Sequence, residues 1–201
     1  MSRLVTKQRK YITHNPISRF LVARFFREIS RLIARSTCES VLEIGCGEGV
    51  LLHHLRPQLA RARIVALDID RADVTTALCN SPFANYAVAS AYALPFREGA
   101  FDLAVCCEVL EHLDDPDQAL REMQRVVSEY CVVSVPSEPI WRVLNLLRGA
   151  YVRQWGNTPG HVNHWSHKTF RLCLERYFDV VETVHPLPWT GALCAKRRGP
   201  H

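Results

Sequence analysis

The chain has 201 residues, 48% of them hydrophobic, which suits one globular domain with a full core and excludes a disordered or fibrous chain. Its 25 basic and 20 acidic residues leave a net charge of +5, too mild an excess to be a nucleic-acid footprint by itself, although the arginines form a local cluster near the N-terminus. None of the eight cysteines falls in a C-x-x-C pair, so neither a disulfide framework nor a zinc site is indicated.

Residues 1–15 are polar and basic and read as a flexible tail. From Pro16 to Ser36 the pattern is helical, with Ile17, Leu21, Phe25, Ile29 and Leu32 on one stripe and Arg19, Arg27 and Arg31 off it. Pro16 suits a first helical turn and Asn15 a cap. Phe20 and Phe26 broaden the apolar face, which favours a helix packed on the domain over one lying on a membrane surface.

Strands and helices then alternate. Ser40–Ile44 reads as a buried strand and Glu48–Leu55 as a helix. Ala62–Leu67 is a second strand, closed by Asp68, and Arg71–Cys79 a helix. Asn85–Ala89 and Phe101–Cys107 are the third and fourth strands. Asp117–Val127 is a helix with Pro116 at its start, and Tyr130–Val135 a fifth strand. This alternation implies a parallel sheet with helices on both faces, which binds ligands at the carboxyl ends of its strands. Residues 137–165 break the pattern with Gly, Pro, Trp and His, as a lid or acceptor-binding segment does. A helix over His167–Tyr177 follows, then strands Phe178–His185 and Gly191–Lys196. The turn "PLPW" between them predicts antiparallel pairing.

The stretch "VLEIGCGEGVLLHHL" places three alternating glycines between a strand and a helix. No Gly-Lys-Ser/Thr ending follows, so it is not a nucleoside-triphosphate loop. Gly45 and Gly47 fit a dinucleotide turn, but its third glycine position is Val50. Glu43, at the strand's end, repels a pyrophosphate and attracts an ammonium group. S-adenosylmethionine, with its α-amino group and sulfonium, satisfies that charge. Asp68 at the end of the second strand suits a ribose, Ile69 can flank the adenine, and Ser90 and Ala91 lie where the adenine edge would fall. Cys46, Cys106, Cys107 and Cys131 read as small core residues. By their places in the turn and at the end of the fourth strand, Cys46 and Cys107 also count as cofactor-binding.

The segments "VLEIGCGEG", "ALDID", "ALPFREGAFDLAVCCEVLEHLDDP" and "GHVNHWSHKTF" resemble the motifs of class I S-adenosylmethionine-dependent methyltransferases, most closely the UbiE/UbiG-like (methyltransferase type 11) group. The resemblance runs from about residue 40 onward. It implies a Rossmann-like, doubly wound α/β fold with a seven-stranded, mostly parallel sheet and an antiparallel last strand. It also implies in-line methyl transfer to a nucleophile. The whole chain, 1–201, is expected to form one methyltransferase domain, with residues 1–36 as tail and helix and 137–165 as lid. One departure is Ser90, where many relatives carry an aspartate.

Glu108, Glu111 and His112 follow the fourth strand at i, i+3, i+4, a spacing that one helical turn places on one face. With His161 or His164 from the lid, they can chelate a divalent cation. Similar E-x-x-E-H runs bind metal in ubiquinone-pathway O-methyltransferases and small-RNA 2′-O-methyltransferases. The metal set expected here is Glu108, Glu111, His112 and His161. Without a metal, Glu108 lines the cofactor pocket, and His112, His161 and His164 are the candidate general bases. Trp141, Trp155 and Trp165 suggest an apolar, aromatic or lipid-like small-molecule acceptor, and the likeness of the E-x-x-E-H run to O-methyltransferases implies O-methyl transfer.

Two other functions compete. An RNA 2′-O-methyltransferase suits the charge and the metal-like run but lacks a recognisable RNA-binding module, so nucleic acid is disfavoured as a partner. A non-catalytic cofactor-binding subunit is countered by the polar cluster at 108–112. Reduced thiols and the lack of a signal-like or bilayer-length apolar stretch point to the cytoplasm, with peripheral membrane contact left open.

Overall fold

A computed structural model describes residues 15–147, 155 and 157–197. The expected basic tail up to residue 14 and the lid's 148–154 stretch lie outside the described residues. The strands are β1 (Ser40–Ile44), β2 (Arg63–Asp68), β3 (Asn85–Val88), β4 (Phe101–Cys107), β5 (Val127–Pro136), β6 (Phe178–Val184) and β7 (Trp189–Lys196). They form one sheet in the order β3-β2-β1-β4-β5-β7-β6. The first five run parallel, and β7 lies antiparallel between β5 and β6, as expected. Near-continuous apolar strands such as "FDLAVCC" belong in such a sheet, because helices cover both faces.

The helices are α1 (Pro16–Ile33), α2 (Val50–Leu55), α3 (Arg71–Asn80), α4 (Pro116–Val126), α5 (Ile140–Leu147) and α6 (His167–Leu174), with a 3₁₀ turn at Leu110–His112. One core layer packs residues of α4 and α6, including Leu120, Met123, Phe170 and Leu174, on the sheet. The other packs Ile29, Leu32, Leu52 and Leu55 of α1 and α2 on the opposite face. Strand order reverses between β1 and β4, and the crevice this leaves at their carboxyl ends is the place for a ligand in an open α/β sheet.

Asn15 caps α1 as expected, its Oδ1 accepting the Ile17 amide at 2.9 Å. The apolar face of α1 is narrower than expected. Phe25, Phe26, Ile29, Leu32 and Ile33 are buried, whereas Ile17 and Phe20 are 68% and 61% exposed. The reason is facing: Ile17 and Phe20 lie off the side of α1 that carries Phe25, Phe26, Ile29, Leu32 and Ile33. Phe25 packs at 4.9 Å on Trp189, the first residue of β7. Ile29 sits one turn lower, over Gly191. Leu21 and Val22, one turn before Phe25, are half-buried against the same core. No described helix is long and apolar enough to cross a membrane.

Gly49 joins the two helices nearest the crevice. It adopts φ +73°, and an added Cβ would lie 3.0 Å from both Cα and Cβ of Ala77 in α3. Asn80 and Ser81 fasten the same junction, donating to the Glu48 and Gly49 carbonyls at 2.7 and 3.1 Å. Gly49→Ala should lower unfolding free energy by about 1–3 kcal/mol through the left-handed backbone and the close approach to α3. Ala77→Gly should recover only a fraction of this, since the approach to the Ala77 Cα at 3.0 Å remains. Chemical denaturation of the single and double variants checks this, and a Gly49→Ala protein as stable as wild type would refute it.

Candidate functional site

The turn after β1 hangs on the end of β2. The Leu67 carbonyl accepts from both the Gly45 and Cys46 amides, at 2.8 and 2.9 Å. Asp68 Oδ2 accepts the Gly47 amide at 2.8 Å, and its Oδ1 accepts the Asp70 amide at 3.0 Å. Gly45 and Gly47 hold positive φ, +72° and +50°. At Gly45 the space a side chain would need is filled from within. An added Cβ would lie 2.3 Å from Val109 Cγ2. A side chain at Gly45 is therefore excluded by Val109 as well as by the positive φ.

Glu43 lies beneath this turn, 2% exposed, and its Oε2 is buried without a hydrogen-bond partner. Burial, with Asp68 nearby adding like charge, pushes its carboxyl up to about 8. An uncompensated carboxylate in such a place is costly unless a cation meets it. A ligand ammonium therefore fits the observed chemistry, and a pyrophosphate does not. Asp68, bonded through one amide to each oxygen, keeps lone pairs for ribose hydroxyls. Ile69 is 74% exposed at the mouth. Ser90 and Ala91 are half-buried just past β3, and Ser90 Oγ accepts the Tyr92 amide at 3.2 Å. Burial pushes the Cys46 and Cys107 thiols up, so both remain neutral fillers.

The run after β4 departs from the expected single face. Glu108 takes φ +62°, rare for a residue with a side chain, and the 3₁₀ turn begins only at Leu110. Its carboxylate is engaged elsewhere. Ser134 Oγ donates to Oε1 at 3.1 Å and Trp189 Nε1 donates to Oε2 at 2.6 Å. Glu108 thus stands outside the metal-type cluster, because its reversed backbone sends the side chain toward β5 and β7.

Glu111, His112 and His161 do meet, with one donor atom from each lying within 4.8 Å of the others. Glu111 is 1% exposed and His161 8%. His112 Nδ1 lies 2.9 Å from the Gly160 carbonyl, which makes Nδ1 the protonated nitrogen. Nε2 lies 4.0 Å from Glu111 Oε1. The two imidazoles meet edge to face at 4.9 Å, and Trp141 stacks on His161 at 6.0 Å. The segment carrying His161 is fixed by main chain. The Val162 and Asn163 amides donate to the Glu111 carbonyl at 2.8 and 3.2 Å. His164 is exposed and bonds Asn157 Oδ1 at 2.9 Å, outside the cluster.

The tryptophans of the expected lid separate by role. Trp141 borders the cluster, its Nε1 donating to Thr158 Oγ1 at 2.9 Å. Trp155 is 78% exposed, and Trp165 is buried against Phe170. Trp189, Ser134, Asn80 and Gly160 were not anticipated as parts of the site. Only Trp189, at the end of "PLPW", carried a signal, an aromatic beside an expected strand end.

Residues 42–133, spanning the glycine turn through β5, match the methyltransferase domain family. A probable S-adenosylmethionine-dependent methyltransferase of Mycobacterium tuberculosis is 35% identical over 109 residues, covering 53% of this chain and 39% of that protein. The ubiquinone biosynthesis O-methyltransferase of Ralstonia nicotianae is 35% identical over 92 residues, covering 43% and 38%. The chain thus spans about two-fifths of the length of these relatives. Among solved structures, the N-methyltransferase NodS of Bradyrhizobium japonicum, in complex with S-adenosyl-L-homocysteine, superposes with a TM-score of 0.71 at 20% identity. That match covers 97% of this chain and 95% of NodS. The [4+2]-cyclase SpnF gives 0.68 at 15%, covering 88% and 82%, so the fold itself does not name a reaction. Residues 42–133 thus match the methyltransferase domain family, within a seven-stranded sheet that superposes on solved methyltransferase structures.

Proposed function

We propose that the protein methylates a hydroxyl of a small-molecule acceptor, with S-adenosylmethionine as donor. Glu43 carries this reading: a buried carboxyl with an unpartnered oxygen, beneath a glycine turn, suits a ligand that brings its own ammonium. Asp68 would take the ribose hydroxyls, Ile69 a face of the adenine, and Ser90 and Ala91 its edge. The backbone of Gly45, Cys46 and Gly47 would line the amino-acid end, with Cys107 below. When bound, the sulfonium supplies an already activated methyl group. The protein's share is alignment of the two partners and removal of the acceptor's proton.

For that proton, His112 is favoured. Its Nδ1 is committed to Gly160, leaving Nε2 to accept. Glu111 and His161 hold the polar side of the same space, and Trp141 offers an apolar wall suited to an aromatic or lipid-like acceptor. The likeness to a ubiquinone biosynthesis O-methyltransferase supports an oxygen acceptor. A second reading rests on the same three donors: a divalent cation held by Glu111, His112 and His161 would lower the acceptor's pKa. Such a cluster would also serve a ribose 2′-hydroxyl, and a panel of small phenols, quinols and lipids beside RNA separates the acceptor classes.

Without ligand, Glu43 holds its proton up to about pH 8, whereas its ordinary value is 4.5. Its contribution to unliganded stability is therefore full below the unfolded value. It falls as pH rises and is gone once pH passes through about 8. An ammonium ligand favours the ionised form, so binding at neutral pH should expel the Glu43 proton. Calorimetry with S-adenosylhomocysteine, in buffers of different ionisation enthalpy, should read this release. Glu43→Gln should abolish the release and weaken binding; an unchanged release would exclude Glu43 as the ammonium site.

Asp68→Ala should weaken cofactor binding by about 1–3 kcal/mol, since both a ribose acceptor and the Gly47 anchor are removed. Equal affinity in wild type and variant would displace the ribose from Asp68.

His112→Ala should reduce turnover about 10²–10⁴-fold while cofactor affinity is retained. Chelation with elemental analysis then separates the two readings. Activity lost on chelation and restored by Mg²⁺, Zn²⁺ or Fe²⁺ assigns the cluster to a cation. Full activity in metal-free protein assigns His112 as the base. A fully active His112→Ala protein overturns both.

A further inference from the structure

We propose that the outward face of α1 docks on an anionic lipid bilayer, beside the acceptor end of the sheet. Charge is segregated along the chain. Residues 1–35 contain nine Lys or Arg and one acidic residue, a net +8, whereas the rest contains sixteen basic and nineteen acidic residues, a net −3. Within α1 the stripe opposite the buried face reads Ile17, Phe20, Arg24, Arg27, Arg31, at helical spacing. Arg31 is tied to Glu28 and Glu182. Arg24 and Arg27 are exposed, and the leading end of the stripe is the exposed pair Ile17 and Phe20.

Position selects the occupant. Phe25 lies level with Trp189, which pairs with Pro136 at the carboxyl end of β5. At 1.5 Å per residue, Phe20 and Ile17 lie about 7.5 and 12 Å along α1 from Phe25, on its solvent side. Trp189 in turn packs on Trp141 of α5 at 5.7 Å, so α1 lies beside the side of the sheet that carries Trp141. A phosphate-reading surface gains nothing from exposed Ile and Phe. A bilayer interface rewards both components, with apolar side chains entering the headgroup boundary and arginines meeting anionic headgroups. The face lies on the bilayer and does not cross it, in keeping with the absence of a described membrane-spanning helix. This inference is independent of the acceptor's identity and of the proton acceptor.

The full chain should co-sediment with phosphatidylcholine vesicles containing phosphatidylglycerol and remain free with phosphatidylcholine alone. Arg24→Glu with Arg27→Glu should lower partitioning about tenfold or more. Ile17→Ser with Phe20→Ser should lower it by a similar factor, about tenfold. Because all four side chains are exposed, both double variants should keep the wild-type melting temperature and S-adenosylhomocysteine affinity, which separates a docking defect from misfolding. Wild-type protein that ignores anionic vesicles, or double variants that partition like wild type, would overturn the proposal. Binding of transfer RNA in place of vesicles, lost in the arginine pair, would reassign the face to nucleic acid and overturn it equally.

Discussion

The end of β2 holding the turn that follows β1 is the constraint on which the site depends. A strand-to-helix turn built on glycine has almost no side chains with which to fix itself, and glycine loses more conformational freedom on ordering than any other residue. Here the missing restraint comes from the neighbouring strand. Leu67 offers one carbonyl to two amides, and Asp68 offers a carboxylate oxygen to a third. The turn is thereby presented as a rigid cradle over Glu43. Its shape is specified by residues more than twenty positions away, because parallel pairing of β1 with β2 sets Ile44 beside Leu67.

The same economy recurs on the acceptor side. Glu108 would be strained at φ +62° without partners, and it has two, Ser134 on β5 and Trp189 on β7. The antiparallel β7 therefore does more than close the sheet. Its first residue reaches the run after β4, Phe25 of α1 and Trp141 of α5. Three segments distant in sequence thus converge on one indole of β7.

Most of the architecture was legible from the amino acids alone. β1 and β4 fall on the residues that the apolar runs indicate, because a strand covered on both faces is a near-continuous apolar run. Glu43 and Asp68 were legible for the complementary reason: an acid that interrupts such a run sits at a strand terminus, and termini at one edge share a site. What periodicity could not supply was the backbone between regular elements. The i, i+3, i+4 spacing of Glu108, Glu111 and His112 assumes a continuous helical turn, and the left-handed residue at 108 removes one member. Likewise, Ile17 and Phe20 look like core by composition, but pattern does not report how wide a face the sheet covers.

The filling of the space beside Gly45 by Val109 links two regions that chemistry would treat separately. One belongs to the cradle for the donor, the other to the segment that presents Glu111 and His112. With a methyl group of Val109 occupying the place of a Cβ, neither region can drift in sequence without the other. A larger residue at 45 is admissible only if 109 shrinks and the backbone at 45 changes hand. Among descendants of this fold the two positions are expected to change as a pair, and a graft of one segment into a relative would carry a steric debt unless the other travels with it.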